Sequence, residues 1–483
     1  MKVSSPQPTC AAGELLVKLR PGLDRAGMDN FVSDHGLELL ERIEMPAAMR
    51  TTFQGDLVRL SVPNTEKEAM ESLSRDPRVC YAEPNHLIYA EPQHQAVPLQ
   101  SASLPAFSLP RLAGGSSSLA IRPAQREILL GVGGVTLLGL GGAVVGSALA
   151  RYAGGLSLAL AGGLAGWILG RHLANQEEWP DRPQPRALPA NLDRRQWALD
   201  NQGQEWGKPD ADLDAPEAWA MTTGSREPII AVMDTGIDTN HPALAGNLWS
   251  NPEDGTHGYN AIDGSHDPMD RDSHGTHCSG IIAANGSQGV YGVSPQARLM
   301  GVKFMNAKGK MSDAIKGLAF AAHHGARVTS HSWTCQGFNQ SFRDALAASP
   351  ALHILAAGNE GQSLDEINVY PANYDLPNTL RVGASDRQNR LYRYSNFSRH
   401  HVDTVAPGQD IYSCVPGGGY RSQSGTSMAA PMVTGVANLV LARHPDISNK
   451  ELKARLMRVT RVPSLCWKVA SGGVLNAARA VKD

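Results

Sequence analysis

Short apolar runs of strand length recur toward both ends of the chain, with helical periodicity between them, and a long uncharged stretch lies in the middle. Between residues 14 and 90 the strand-like runs fall at 14–19, 37–44, 57–62 and 79–86, with helical patterns at 24–35 and 65–75. Thr65 followed by Glu68 reads as a capping box opening the second helix. The order β-α-β-β-α-β predicts a small ferredoxin-like α+β unit over residues 13–90. From about residue 191 to 483, short apolar runs alternate with helical patterns, which predicts a doubly wound parallel α/β sheet. The run at 229–233 is continuously apolar, as a strand buried on both faces requires. Asp234 stands at its C-terminal end, where open α/β sheets place their chemistry.

About a hundred residues separate these two regions. Residues 91–127 are rich in Pro, Ser, Gln and Ala and suit a flexible linker. Residues 128–150 are then uncharged and apolar, Arg151-Tyr152 follows, and 153–170 is uncharged again. At roughly 1.5 Å per residue these stretches reach about 34 and 27 Å, enough to cross or nearly cross a hydrocarbon core of about 30 Å. The pair predicts a transmembrane helical hairpin at 128–170. Gly142, Gly146, Gly162, Gly166 and Gly170 place small residues at four-residue spacing, which lets helices approach closely in lipid. Arg122, Arg126, Arg171, Arg182 and Arg186 flank the pair, so the positive-inside rule sets both ends on the cytoplasmic side. The competing reading is a buried glycine-rich helix pair docked on the C-terminal region. Residues 171–190 form a second Pro/Arg-rich linker.

Composition narrows the field only slightly. A net charge of −2 over 483 residues gives no reason to expect nucleic acid as a partner. The six cysteines, at 10, 80, 278, 335, 414 and 466, have no paired spacing that suggests a disulfide framework or a zinc ribbon. Residues 1–8 show no apolar h-region of a secretory signal, and the thiols are expected to be reduced.

Three short stretches carry the chemistry. They are Val232-Met233-Asp234-Thr235-Gly236, Ser273-His274-Gly275-Thr276-His277-Cys278 and Gly425-Thr426-Ser427-Met428-Ala429-Ala430-Pro431. A serine hydroxyl becomes a useful nucleophile when a histidine takes its proton, and the histidine needs a carboxylate to fix its tautomer. Asp234 as orienting carboxylate, His274 as general base and then acid, and Ser427 as nucleophile supply that set. Asp238 is a nearby alternative to Asp234. The spacing His274-x-x-His277-Cys278 also admits a zinc site, although no His-Glu-x-x-His pattern accompanies it. Ala429 occupies the last position of what would be a Gly-x-Ser-x-Gly elbow, which argues against an esterase of the α/β-hydrolase fold.

These motifs, in the order Asp, His, Ser, resemble those of the subtilases, subtilisin-like serine endopeptidases, over roughly residues 191–483. The resemblance implies a subtilisin-like fold and hydrolysis of protein or peptide substrates through an acyl-enzyme, with no cofactor required. It implies that Asn359, in Leu355-Ala356-Ala357-Gly358-Asn359, donates to the oxyanion, and that Ser332, Trp333 and Thr334 face Ala356, Ala357 and Gly358 across the substrate, with 369–371 near the pocket floor. No acidic residue stands at those wall positions, so an apolar P1 preference is expected. Ser273 departs from the glycine usual before the family's histidine, and Thr334 from another family glycine. Asp263, Asp267, Asp270 and Asp272 precede His274 and form a candidate calcium loop. Tyr81-Ala82-Glu83-Pro84-Asn85 is similar to the end of a subtilase propeptide, which implies that residues 13–90 act as the enzyme's own inhibitor. The expected protein is therefore an autoprocessed, membrane-tethered zymogen with a cytoplasmic catalytic domain. Two other readings are a membrane-disrupting hairpin released by the protease domain and a peptide-binding pseudoenzyme, and the complete Asp/His/Ser set with Asn359 speaks against the latter.

Overall fold

In a computed structural model of the chain, the described residues are 10–63, 65–89 and 189–483. The expected hairpin at 128–170 and nearly all of both linkers lie outside them. Among the described residues, no helix is long and apolar enough to cross a membrane.

The N-terminal unit contains β1 (Cys10–Leu19), α1 (Arg25–Asp34), β2 (Glu38–Ile43), α2 (Ala47–Phe53), β3 (Asp56–Ser61), α3 (Glu66–Leu73) and β4 (Val79–Tyr89). Its strands run in the order β2-β3-β1-β4, all antiparallel. Asp24 caps α1 by accepting from the Gly27 N–H, and Thr65 caps α3 by accepting from the Glu68 N–H. The sequence pattern missed α2, which is too short to show a period of its own. It is held by Met49 and Phe53, both buried.

The larger region is built on a nine-stranded sheet. Its strands are β5 (Ile229–Asp234), β6 (Gly258–Asn260), β7 (Arg298–Lys303), β9 (Ala326–His331), β10 (Leu352–Ala356), β11 (Thr379–Ser385), β12 (Thr404–Pro407), β15 (Val459–Arg461) and β16 (Gly473–Leu475). Their order is β15-β16-β12-β11-β10-β9-β5-β7-β6, parallel except where β15 meets β16. The chain leaves β5 toward β7 on one side and returns at β9 on the other. The C-terminal ends of β5 and β9 therefore flank a topological switch point, the usual seat of a ligand in such sheets. A separate hairpin pairs β13 (Ile411–Val415) with β14 (Gly419–Gln423).

The helices of this region are α4 (Ala215–Trp219), α5 (His274–Ala283), α6 (Met311–His323), α7 (Gln340–Ala348), α8 (Thr426–Arg443), α9 (Asn449–Leu456) and α10 (Ala477–Val481). The first sixteen residues of α8 are all buried, and the helix packs across β9–β12 and beside α5. Helix α6 packs on α7 and on the N-terminal unit.

The two regions share one sheet and one core. A short strand of the larger region, β8 (Lys308–Lys310), adds to the N-terminal sheet by pairing antiparallel with β4, Leu87 opposite Lys310 and Tyr89 opposite Lys308. Leu16, Met49, Phe53 and Ile88 belong to the same buried apolar cluster as Met311, Ile315, Trp333 and Phe342. Burial of a side chain of this size contributes roughly 1.5–3 kcal/mol, so the contact is a true core and not a rim.

Candidate active site

Asp234 and His274 are brought together by a close backbone approach. Helix α5 begins at His274, and Gly275 lies so near the loop after β5 that a Cβ there would meet the Gly236 carbonyl oxygen at 2.1 Å and the Asp234 Cβ at 3.1 Å. The approach gives His274 Nδ1 a hydrogen bond of 2.8 Å to Asp234 Oδ1, with both side chains buried. The same oxygen accepts from the Thr235 N–H at 2.7 Å. Lys303, opposite Asp234 in the sheet, donates to the Thr235 carbonyl at 2.7 Å. The alternative carboxylate, Asp238, ties its own loop to the turn of the β13–β14 hairpin, accepting from the N–H groups of Asn240 and Gly417.

The N-terminus of α5 is capped by a residue the sequence reading gave to a metal. Asp270 Oδ2 accepts from the Thr276 N–H at 3.0 Å and the Thr276 hydroxyl at 2.6 Å. Its Oδ1 accepts from the Thr235 hydroxyl and from the N–H groups of Asp272 and Ser273. Asp263 accepts from Asn260 Nδ2 and the Ser265 N–H, and Asp267 from the Met269 N–H. The carboxylates of Asp263, Asp267 and Asp270 thus each hold the turn or helix start around them. Among the described residues, the group of acidic, histidine or cysteine side chains close enough to share a metal is Asp234, His274 and Cys278, with ligand atoms within 4.8 Å of one another. His277 is not part of it. Its Nε2 donates to the Arg421 carbonyl at 2.9 Å, and burial pushes its pKa down to about 3. The His-x-x-His-Cys zinc reading therefore fails, because the two histidines face different partners. Burial also raises the Cys278 thiol well above its usual range, leaving a neutral S–H that donates to the Ser427 carbonyl at 3.4 Å.

Ser427 lies in the first turn of α8, after Gly425 at φ 152°. Pro431 stands four residues on, inside the helix, and has no N–H to bond the Ser427 carbonyl. That carbonyl accepts instead from Ser332 Oγ at 2.9 Å. In return the Ser427 hydroxyl donates to the Ser332 carbonyl at 3.0 Å. Reciprocal bonds thus tie the serine to the segment that leaves β9. Asn359 follows β10, and its Oδ1 accepts from the Thr426 N–H at 2.9 Å and the Thr426 hydroxyl at 3.3 Å. These bonds orient the amide so that its donor end, Nδ2, faces Gly425, where a Cβ would come within 3.0 Å.

Strands β9 and β10 are parallel neighbours, with His331 opposite Leu355, so Ser332–334 and 356–358 continue them side by side. Trp333 does not line an open wall. It is fully buried, with Phe304 and Phe342 at ring distances of 5.1 and 5.3 Å. Val369 borders Gly358 as expected, its Cγ1 lying 3.2 Å from where a Cβ would be. Glu360 also borders this segment. Its carboxylate is bonded by Asn396 Nδ2 and would lie 2.8 Å from a Cβ on Gly358, so an acidic group does stand at that wall.

Ser273 precedes the catalytic-set histidine in an unusual conformation. It differs from glycine by more than size, because its φ is 122°, in the region L residues avoid at a cost of about 1–3 kcal/mol. A serine before a helix normally caps it, yet the Ser273 side chain makes no cap bond and accepts from Arg421 Nη2 at 2.8 Å.

The family model described as the subtilase family matches residues 225–477. Thermitase of Thermoactinomyces vulgaris is 33% identical over 277 residues, covering 56% of this chain and 94% of thermitase. A thermophilic serine proteinase of Bacillus sp. strain AK1 is 37% identical over 249 residues, 50% of this chain and 58% of that protein. Subtilisin E of Bacillus subtilis strain 168 is 37% identical over 235 residues, 47% of this chain and 58% of subtilisin E. The chain thus spans little more than half the length of two of these three relatives.

Proposed function

The chain belongs to the subtilase family, and from that premise we propose that it is a serine endopeptidase held in check by its own residues 13–90. The observation that carries the reading is the buried 2.8 Å bond from His274 Nδ1 to Asp234 Oδ1 beside the helix whose first turn holds Ser427. That bond fixes the imidazole so that Nε2 is the basic nitrogen. Ser427 Oγ attacks the scissile carbonyl carbon and its proton passes to His274 Nε2, while Asp234 supports the imidazolium. The Ser427 N–H and Asn359 Nδ2 donate to the oxyanion. His274 then protonates the departing amine, and water, deprotonated in turn by His274, releases the acyl group. No step needs a metal or an organic cofactor.

The inhibitor role rests on polar contacts as well as the shared core. Glu83 accepts from the N–H groups of Gln340 and Ser341, both at 2.7 Å, at the start of α7, where the helix dipole favours a carboxylate. Asn85 exchanges bonds with Ser312 in the first turn of α6. Asp344 receives Lys18 Nζ at 2.7 Å and the Tyr81 hydroxyl at 3.0 Å. The strand order β2-β3-β1-β4 supports a ferredoxin-like description of this unit. Attachment to a membrane through 128–170, with the catalytic domain on the cytoplasmic side, rests on the hydropathy and arginine pattern of that stretch alone.

The test compares wild type with Ser427→Ala, tagged at both ends, by membrane fractionation, intact mass and labelling with a fluorophosphonate. Labelling and self-cleavage confined to wild type support the reading. A wild type that neither labels nor cleaves a peptide after removal of residues 13–90 overturns it.

A further inference from the structure

We propose that Arg421 is a positioning residue for His274, acting through the side chain of Ser273. The inference deepens the endopeptidase reading and rests on it for its kinetic consequence. Three facts converge on it. Ser273, directly before the catalytic base, adopts φ 122°, where glycine is at ease and serine is not. Its hydroxyl does not cap α5, because Asp270 already accepts from the Thr276 N–H that a capping serine would take. The hydroxyl instead accepts from Arg421 Nη2 at 2.8 Å, while the Ser273 N–H is held by Asp270 Oδ1 at 3.1 Å. The residue ahead of His274 is thus gripped at its main chain from one side and at its side chain from the other.

Arg421 is well placed to transmit position, since it lies on β14, which ends at Gln423, just ahead of the turn into α8 and Ser427. Its main chain is already fastened to α5, because its carbonyl accepts from His277 Nε2 at 2.9 Å. Ser413, opposite it in the hairpin, donates to the His277 carbonyl at 2.8 Å. Gly280 brings the helix so close to this hairpin that a Cβ there would meet Ser413 Oγ at 2.4 Å. The strand that delivers the nucleophile therefore also holds the segment that delivers the base. The guanidinium–hydroxyl bond closes this connection at the residue whose backbone most needs support. With glycine at 273 the left-handed conformation needs no such support, so the contribution of Arg421 depends on a side chain being present there.

The test is a double-mutant cycle on the full chain after processing, with active sites counted by a fluorophosphonate. Arg421→Ala in the Ser273 background is expected to lower kcat about 5–10-fold with KM within about twofold, the size of one ordinary, solvent-exposed hydrogen bond. Arg421→Lys recovers part of that loss. In the Ser273→Gly background, adding Arg421→Ala changes kcat by less than twofold. A second readout uses the Ser427→Ala chain, whose His274 Nδ1 proton gives a far-downfield NMR resonance. Arg421→Ala shifts or broadens it when residue 273 is serine and leaves it alone when 273 is glycine. Equal losses in both backgrounds, an effect confined to KM, or a resonance indifferent to Arg421 each overturn the proposal. A wild type without hydrolysis whose resonance still responds to Arg421 overturns the endopeptidase reading and leaves the latch standing.

Discussion

Pro431 releases the carbonyl of Ser427 from its helix, and Ser332 Oγ takes it at 2.9 Å. A residue that breaks a helical hydrogen bond thus supplies an acceptor through which the nucleophile is tied to the strand beside it. Pro431→Ala restores an N–H able to compete for that carbonyl. The expected result is a kcat lower by about 2–10-fold, equivalent to one neutral hydrogen bond, with little change in KM. Single-turnover kinetics on a peptide ester check it, and an unaltered acylation rate contradicts it.

Asn359 is held by Thr426 through its acceptor end. Asn359→Ala is expected to reduce kcat on the order of 10²–10³-fold while KM stays within a few-fold. Steady-state kinetics separate the two constants, and a change confined to KM would make the residue a substrate contact.

The pairing of Asp234 with His274 was legible because both lie among small residues that a close approach explains, and Gly275 against Gly236 is that approach. The sequence could not show which carboxylates before His274 were already committed. Asp270 and Asp267 look alike in the sequence, yet one accepts from side chains and N–H groups on three sides and the other from its own turn. For Trp333, the position in the segment after β9 is local and readable, while the packing of its side chain against Phe304 and Phe342 is tertiary. The departure of Ser273 from glycine is visible in the sequence, whereas its φ of 122° is not.

Under the proposed endopeptidase activity, Glu360 gives a test of P1 preference. Its carboxylate stands by Gly358 and is steadied by Asn396. Glu360→Gln is expected to lower kcat/KM for Lys at P1 by about 2–5-fold, the worth of an exposed ion pair, and to leave Phe at P1 unchanged. A paired-substrate assay decides it, and parallel changes for both substrates remove Glu360 from the specificity site.

Thr329 Oγ1 bridges His331 Nε2 and His353 Nδ1 at 2.7 and 2.6 Å, and both imidazoles are fully buried. Burial pushes His353 down to about 4 and His331 well below its ordinary 6.5. In this case the unfolded chain binds protons that the folded chain does not. Stability is therefore full above pH 6.5 and falls as pH drops from there toward 4, by up to about 1.4 kcal/mol per pH unit for each histidine. Thermal melting of the Ser427→Ala chain across this range checks the slope, and His353→Gln should flatten it.

Glu83 at the start of α7 gives a test of the inhibitor. A separately made 10–89 segment carrying Glu83→Ala is expected to inhibit the processed enzyme about 5–30-fold more weakly than the unaltered segment, from the loss of one charged helix cap. Titration of residual activity against segment concentration measures it.

The pairing of β4 with β8 has a further consequence. Lys308, Gly309 and Lys310 hold Leu87, Ile88 and Tyr89 through main-chain atoms, and the glycine at the centre offers no side chain to read. Such an edge is indifferent to the identity of the strand laid against it. An extended segment laid against β8 in place of residues 87–89 would meet the same main-chain atoms. Any selectivity for such a segment would have to come from the side chains bordering the strand, separately from the main-chain grip.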